Sequence, residues 1–201
     1  MSEKKSDKKG LKRNIIELLI IAAVAGGLYF SGMHTEVIGR LQQVVLWTGL
    51  VTPSIPDEPG DGPILGGQEL YMADTDGIVR SLDNYKGNVV FINFWATWCP
   101  PCIAEMPSIQ KLYDTLSDDT QITFLLVSLD EDFETAIRFK ERRGFNMPIY
   151  HIRNRDRSVF ESQIIPTTYV VDPEGRIVLE RRGMAAYDTP EFREFLLGLR
   201  S

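Results

Sequence analysis

The chain has 201 residues, 43% of them apolar and 25% charged, with a net charge of −6. Those proportions exclude wholesale disorder, collagen and coiled coil, and two cysteines are too few for a disulfide-stapled scaffold. Residues 1–13 hold six Lys/Arg against two Asp/Glu, so the rest of the chain is acidic and no nucleic-acid partner is expected.

The first predicted element sets the compartment. Lys4, Lys5, Lys8, Lys9, Lys12 and Arg13 precede an apolar run, Leu18 to Thr35, of 18 residues without Asp, Glu, Lys or Arg. That is about the lower limit for crossing a bilayer, and Ile15 and Ile16 extend the run around Glu17. Basic residues on the leading side favour a cytoplasmic N-terminus with everything downstream outside. The expected layout is a cytoplasmic basic segment at 1–13 and a transmembrane anchor at 14–33. Ala23-Val24-Ala25 also has the small-x-small pattern of a signal cleavage site. Either reading exports the remainder of the chain.

Next, Val37, Ile38, Leu41, Val44 and Val45 fall on a helical stripe, with Arg40, Gln42 and Gln43 on the other side. Residues 34–51 therefore form a juxtamembrane amphipathic segment. It lies on the outer membrane surface with Trp47 at the interface, or packs on the globular domain. Pro53, Pro56, Asp57, Glu58, Pro59, Gly60, Asp61, Gly62 and Pro63 crowd the following stretch, so 52–63 is expected as a solvated linker.

Residues 64–201 suffice for one domain with its own core. Leu70 to Ala73 and Ile78 to Ser81 flank Asp74-Thr75-Asp76-Gly77, a hairpin signal. Val89 to Trp95 is a nearly continuous apolar run, as in a central strand covered on both faces. Residues 101–117 repeat apolar positions at three and four, a helix. Ile122 to Ser128 is a buried strand, and 132–143 a helix closed by Gly144. Thr167 to Val171 and Ile177 to Arg182 are strands around the turn Asp172-Pro173-Glu174-Gly175. Residues 189–199 are a helix with Thr189 as N-cap and Pro190 at its first position. This order predicts an α/β fold, a central mixed sheet with helices on both faces.

The chemistry sits at Trp98-Cys99-Pro100-Pro101-Cys102, where a central strand gives way to a helix. Two residues between cysteines allow a disulfide across the first helical turn. The unpaired N–H groups and positive dipole end of a helix N-terminus favour a thiolate at Cys99. Cys99 is thus the attacking thiol and Cys102, one turn further in, the one that resolves a mixed disulfide. Pro101 suits a first helical turn, and Pro100 and Pro101 together stiffen the loop. Zinc wants four ligands, and the only histidines are His34 and His151, so no metal and no cofactor is expected. A structural disulfide, or copper carriage by the two thiols, remains open beside redox exchange. Pro166, opening the strand after Ile164-Ile165, is a strand-opening or cis-proline position.

Phe91-Ile92-Asn93-Phe94-Trp95-Ala96-Thr97-Trp98-Cys99-Pro100-Pro101-Cys102, with Glu105-Met106-Pro107 after it, resembles the thioredoxin superfamily. It is most similar to the membrane-anchored TlpA/ResA-like branch. Val127-Ser128-Leu129-Asp130 and Ile165-Pro166-Thr167-Thr168-Tyr169-Val170-Val171-Asp172-Pro173-Glu174-Gly175 match the same branch, and the likeness covers roughly 64–200. It implies a thioredoxin-like fold and thiol–disulfide exchange outside the cytoplasmic membrane, with protein dithiols or disulfides as substrates. Apocytochrome c cysteines are frequent substrates in that branch, and a membrane thiol transporter the usual electron donor. The resemblance also implies that Pro166 is a cis-proline facing the cysteine pair, that the Ile165 backbone pairs with substrate, and that Pro107 kinks the helix.

Asn93 stands where thioredoxin has a buried acid, so that proton shuttle is missing. Glu105 is the replacement candidate; its plainer reading is a surface carboxylate in the first helical turn. Trp95 is expected in the core and Trp98 over the disulfide. Two other functions compete. A peroxiredoxin-like peroxidase would place Thr-x-x-Cys at the active cysteine, and Thr97-Trp98-Cys99 is one residue short. A membrane-tethered, redox-inactive or copper-binding module is the non-enzymatic alternative.

Overall fold

A computed structural model describes residues 14–21, 23–24, 26–27, 34–48, 51–56, 62–64, 70–153 and 164–200. Strand β1 (Tyr71–Ala73) and β2 (Val79–Ser81) form the expected hairpin. Asp74 closes the turn by accepting from the N–H groups of Asp76 and Ile78 at 3.1 and 2.9 Å, and Gly77 supplies the left-handed residue, φ 78°. A 3₁₀ turn, Leu82–Tyr85, leads into β3 (Val89–Trp95), buried at every position. Then follow α2 (Pro100–Leu116), β4 (Ile122–Ser128), α3 (Phe133–Arg143), β5 (Ile149–Ile152), β6 (Thr167–Val171), β7 (Ile177–Arg182) and α4 (Pro190–Gly198). A helix upstream, α1 (His34–Trp47), precedes them.

The strands make one mixed sheet in the order β2-β1-β5-β4-β3-β6-β7. β3, β4 and β5 are parallel; every other neighbouring pair is antiparallel. The crossovers β3-α2-β4 and β4-α3-β5 step in the same direction, and right-handed connections then place both helices on one face. Packing agrees. Ile103, Met106 and Ile109 of α2, Phe139 of α3 and Phe192 and Leu196 of α4 share one cluster with Val89, Phe91 and Trp95. The cluster on the other face, around Val90, Ile92 and Phe94, takes from the described helical segments only Leu82 and Tyr85, both of the 3₁₀ turn. Helices on both faces were expected; among the described residues the long helices are on one. The alternating pattern indicates the helices but not the face each one takes, which follows from strand order together with the right-handed crossover.

Helix ends behave as their residues dictate. Asp132 accepts from Glu134 N, and Gly144 ends α3 at φ 66°. Thr189 Oγ1 accepts from Phe192 N at 3.2 Å, with Pro190 at the first position of α4.

Helix α1 packs on the active-site helix. Gly39 approaches so closely that a Cβ there would stand 3.1 Å from the Pro100 carbonyl oxygen and 3.2 Å from Ile103 Cγ2. Leu46 is buried, while Leu41, Val44 and Val45, part of the expected apolar stripe, are exposed. The seat is therefore the glycine side and not that stripe. The side chains of Val37, Ile38, Arg40 and Trp47 lie outside the described residues. The expected linker at 52–63 is tied down on both sides of 57–61, which also lie outside them. Ala186 N donates to Val51 O and Ile177 N to Pro63 O, and Ile55 packs against the core. Among the described residues no helix is long and apolar enough to cross a membrane. Residues 22, 25 and 28–33 of the expected anchor lie outside them.

Candidate active site

β3 delivers the chain to a turn, Ala96 to Trp98, and α2 takes it away. Cys99 is the N-cap of α2 and is bonded to Cys102, one turn in. Cys102 N–H points at Cys99 Sγ, 3.3 Å away, so the one sulfur that meets a free helix N–H belongs to Cys99. Cys99 keeps 5% exposure and Cys102 none. Both facts favour Cys99 as the sulfur that a substrate reaches first and as the better-stabilised thiolate. Pro100 and Pro101 fill the first two helical positions, where missing N–H groups cost nothing. Pro107 lies inside the helix.

A buried carboxylate fixes the turn. Asp130, after β4, accepts from Thr97 N at 3.1–3.2 Å, from Thr97 Oγ1 at 2.6 Å and from Ser128 Oγ at 2.8 Å. His151 holds the Asp130 carbonyl at 3.1 Å and stacks on Phe133. Trp95 is buried against Phe139, as expected. Trp98 is 58% exposed. With Thr97, Leu129, Glu131 and Thr135 it lines a shallow groove beside the pair. Expected over the disulfide, it stands next to Cys99 on a turn held by Asp130 and keeps much of its surface in solvent.

The second segment reaches the pair from β6. The Ile165–Pro166 bond is cis, and the Ile165 carbonyl oxygen lies 3.8 Å from Cys99 Sγ. Ile164, one residue earlier, is exposed, and its carbonyl accepts from Thr167 Oγ1 at 2.6 Å.

Glu105 is not on the surface. It is wholly buried, one turn beyond Cys102 on α2. Asn93 Nδ2 donates to its Oε1 at 2.8 Å and Ala185 N to its Oε2 at 3.2 Å. Burial outweighs these donors and pushes the carboxyl up to about 8 from its ordinary 4.5; Asn93, Ala185 and the charge of Arg181 pull the other way. Asn93 Nδ2 also donates to Thr168 Oγ1 at 2.9 Å, and Tyr187 OH donates to the same oxygen at 2.7 Å. Burial raises the Tyr187 phenol well above its usual range, and the nearby Glu105 charge adds to this. Thus Cys99, Cys102, Pro100, Pro101, Glu105, Ile165 and Pro166 gather at one end of the sheet, with Trp98 at the rim. Sequence reasoning missed Asp130, Thr168 and Tyr187 as parts of this site. The first two lay inside motifs already singled out, but their partners are distant in the chain. Among the described residues no group of three or more His, Cys, Asp and Glu is placed to hold a metal.

Comparison with known proteins agrees with this geometry. The AhpC/TSA family model matches residues 68–179. The chain is 27% identical over 175 residues to the thiol-disulfide oxidoreductase ResA of Geobacillus thermodenitrificans, covering 86% of this chain and 87% of that protein. ResA of Halalkalibacterium halodurans is 32% identical over 131 residues, covering 63% of this chain and 73% of that one. Among solved structures, the thioredoxin domain of a thiol-disulfide oxidoreductase from Bacteroides vulgatus superposes with a TM-score of 0.58 at 22% identity. That match spans 72% of this chain and all of that one.

Proposed function

Since the chain belongs to the AhpC/TSA family and is a thiol–disulfide oxidoreductase, we propose that it reduces protein disulfides outside the cytoplasmic membrane through Cys99 and Cys102. The observation that carries this reading is the meeting of the nearly buried helix-capping sulfur of Cys99 with the Ile165 carbonyl oxygen 3.8 Å away. An incoming chain can pair its backbone with Ile165 and present its sulfur to Cys99 in one pose.

In the reduced enzyme the Cys99 thiolate attacks one sulfur of the substrate disulfide and expels the other as a thiolate. A mixed disulfide results. Cys102 then loses its proton to Glu105 in its ionised form, which burial confines to the pH range near and above about 8, and the Cys102 thiolate attacks Cys99 Sγ. The substrate's second sulfur leaves as a thiolate. Two electrons pass to the substrate, and the enzyme is left as the Cys99–Cys102 disulfide, the form seen here. A membrane thiol donor returns the electrons. An N-terminal helix at 14–33 holds the domain at the outer face, and the acidic surface suits a basic substrate such as apocytochrome c.

The peroxidase alternative needs a threonine hydroxyl aimed at the cysteine. Here Thr97 Oγ1 is committed to Asp130 at 2.6 Å. The test compares reduced enzyme acting on a disulfide-bonded protein and on hydrogen peroxide. Cys99→Ser should abolish turnover, and Cys102→Ser should accumulate mixed disulfides with the substrate. Trapping by Cys99→Ser instead would reverse the assignment, and faster consumption of peroxide would replace it.

A further inference from the structure

The Glu105 site contains a mismatch. Both carboxyl oxygens face N–H donors, one from Asn93 and one from Ala185, which is the pattern for a carboxylate. Yet the group is sealed from water, which favours the acid, and a carboxylic acid needs an acceptor for its own proton. The Ala185 donor is backbone and fixed. The Asn93 donor is one end of a side-chain amide whose other end, Oδ1, is buried without a partner.

We propose that Asn93 is a positioning residue for Glu105 whose amide turns over with the carboxyl's protonation, donating to the carboxylate and accepting from the acid. This rests on the reading of Glu105 as the proton acceptor for Cys102. With Glu105 ionised, the two Nδ2 hydrogens go to Glu105 Oε1 and Thr168 Oγ1, as seen here. With Glu105 protonated, the amide rotates by half a turn. Its oxygen then accepts from the acid O–H and from the Thr168 hydroxyl, while Thr168 still accepts from Tyr187. A hydroxyl can change role in this way and a backbone N–H cannot. The end of the amide that points away is unpartnered in both orientations, so the turn exchanges hydrogen bonds without losing one. A buried carboxyl is otherwise locked in one state. This amide lets it take a proton from Cys102 and give it back without rearranging the core. The other groups acting on Glu105 cannot do this: Arg181 acts as a fixed charge, and Tyr187 faces the amide through Thr168.

The test follows Glu105 in the full chain by carbon-13 labelling of glutamate side chains, and the Asn93 side-chain amide by nitrogen-15, across pH. The Asn93 resonances should move with the same midpoint as Glu105. Asn93→Leu removes both hydrogen bonds. The charge-assisted bond to the carboxylate is the stronger, so the Glu105 midpoint should rise by about one pH unit. Thr168→Val should shift it in the same direction by less, and Thr168→Ser should restore it, which keeps the test usable if Asn93→Leu does not fold. Asn93 resonances that ignore the Glu105 titration, or a midpoint unmoved in these variants, would overturn the proposal. The parent reading fails separately. If Glu105→Gln leaves the pH profile of mixed-disulfide resolution unchanged, Glu105 is not the acceptor, whatever Asn93 does.

Discussion

At the scale of single residues, the raised Glu105 carboxyl makes stability depend on pH in a defined direction. Below about pH 4.5 the acid is neutral in both folded and unfolded chains, and its burial adds no penalty for charge. Between there and about 8 the unfolded chain ionises while the folded one holds its proton, so stability falls as pH rises. Above that the loss is complete, on the order of a few kcal/mol. Glu105→Gln stays neutral throughout and mimics the acid. It should match the parent near pH 4 and be the more stable of the two near pH 9, read from urea midpoints. Equal midpoints at both ends would mean that the carboxyl titrates alike in the folded and unfolded chains and is not raised by burial. None of this was legible from Glu105 alone. The spacing to Cys102 flagged it, but its burial is created by Asn93 on β3 and Ala185 after β7, residues that meet it only through the fold.

At the scale of elements, strands buried along nearly all of their length, or for β7 along its first half, read clearly. β3, β4, β6 and β7 have the bounds their apolar runs predict. β5 was missed because Ile149-Tyr150-His151-Ile152 is four residues long and carries a histidine whose ring serves Asp130. The orientation of α1 was missed for another reason. An apolar stripe announces a buried face, and here Gly39 makes the contact while Leu41, Val44 and Val45 stay uncovered. A single glycine carries no periodic signal. It does carry a prediction. Gly39→Leu would drive a side chain into the Pro100 carbonyl and Ile103, so α1 should lift from α2 at a cost of about 1–3 kcal/mol. Limited proteolysis within 34–48 should speed up, and Cys99 of the reduced protein should alkylate at a changed rate, because the contact lies one residue from it. Unchanged cleavage would mean that α1 is seated by contacts other than this close approach.

For the whole molecule, the question is what covers the apolar surface that the domain leaves bare. Ile15, Ile16, Leu18, Leu19, Ile20, Ile21 and Val24 are each 47–66% exposed, and Leu41, Val44 and Val45 are exposed beyond them. Apolar side chains exposed in that number call for another phase or a partner to cover them. An uncharged run of 18 residues spans about 27 Å as a helix, close to the hydrocarbon thickness of about 30 Å. The block of six basic residues ahead of it opposes export of the N-terminus. A bilayer occupant accounts for the length, the flanking charge and the exposure together, whereas a partner helix accounts for the exposure alone. The expected result is a protein that stays with membranes through an alkaline carbonate wash. In intact cells stripped of their wall, added protease should degrade the domain and spare the basic N-terminal segment. A released form beginning near Gly26 would instead make 14–25 a cleaved signal. The domain would then meet its electron donor by diffusion, without a tether.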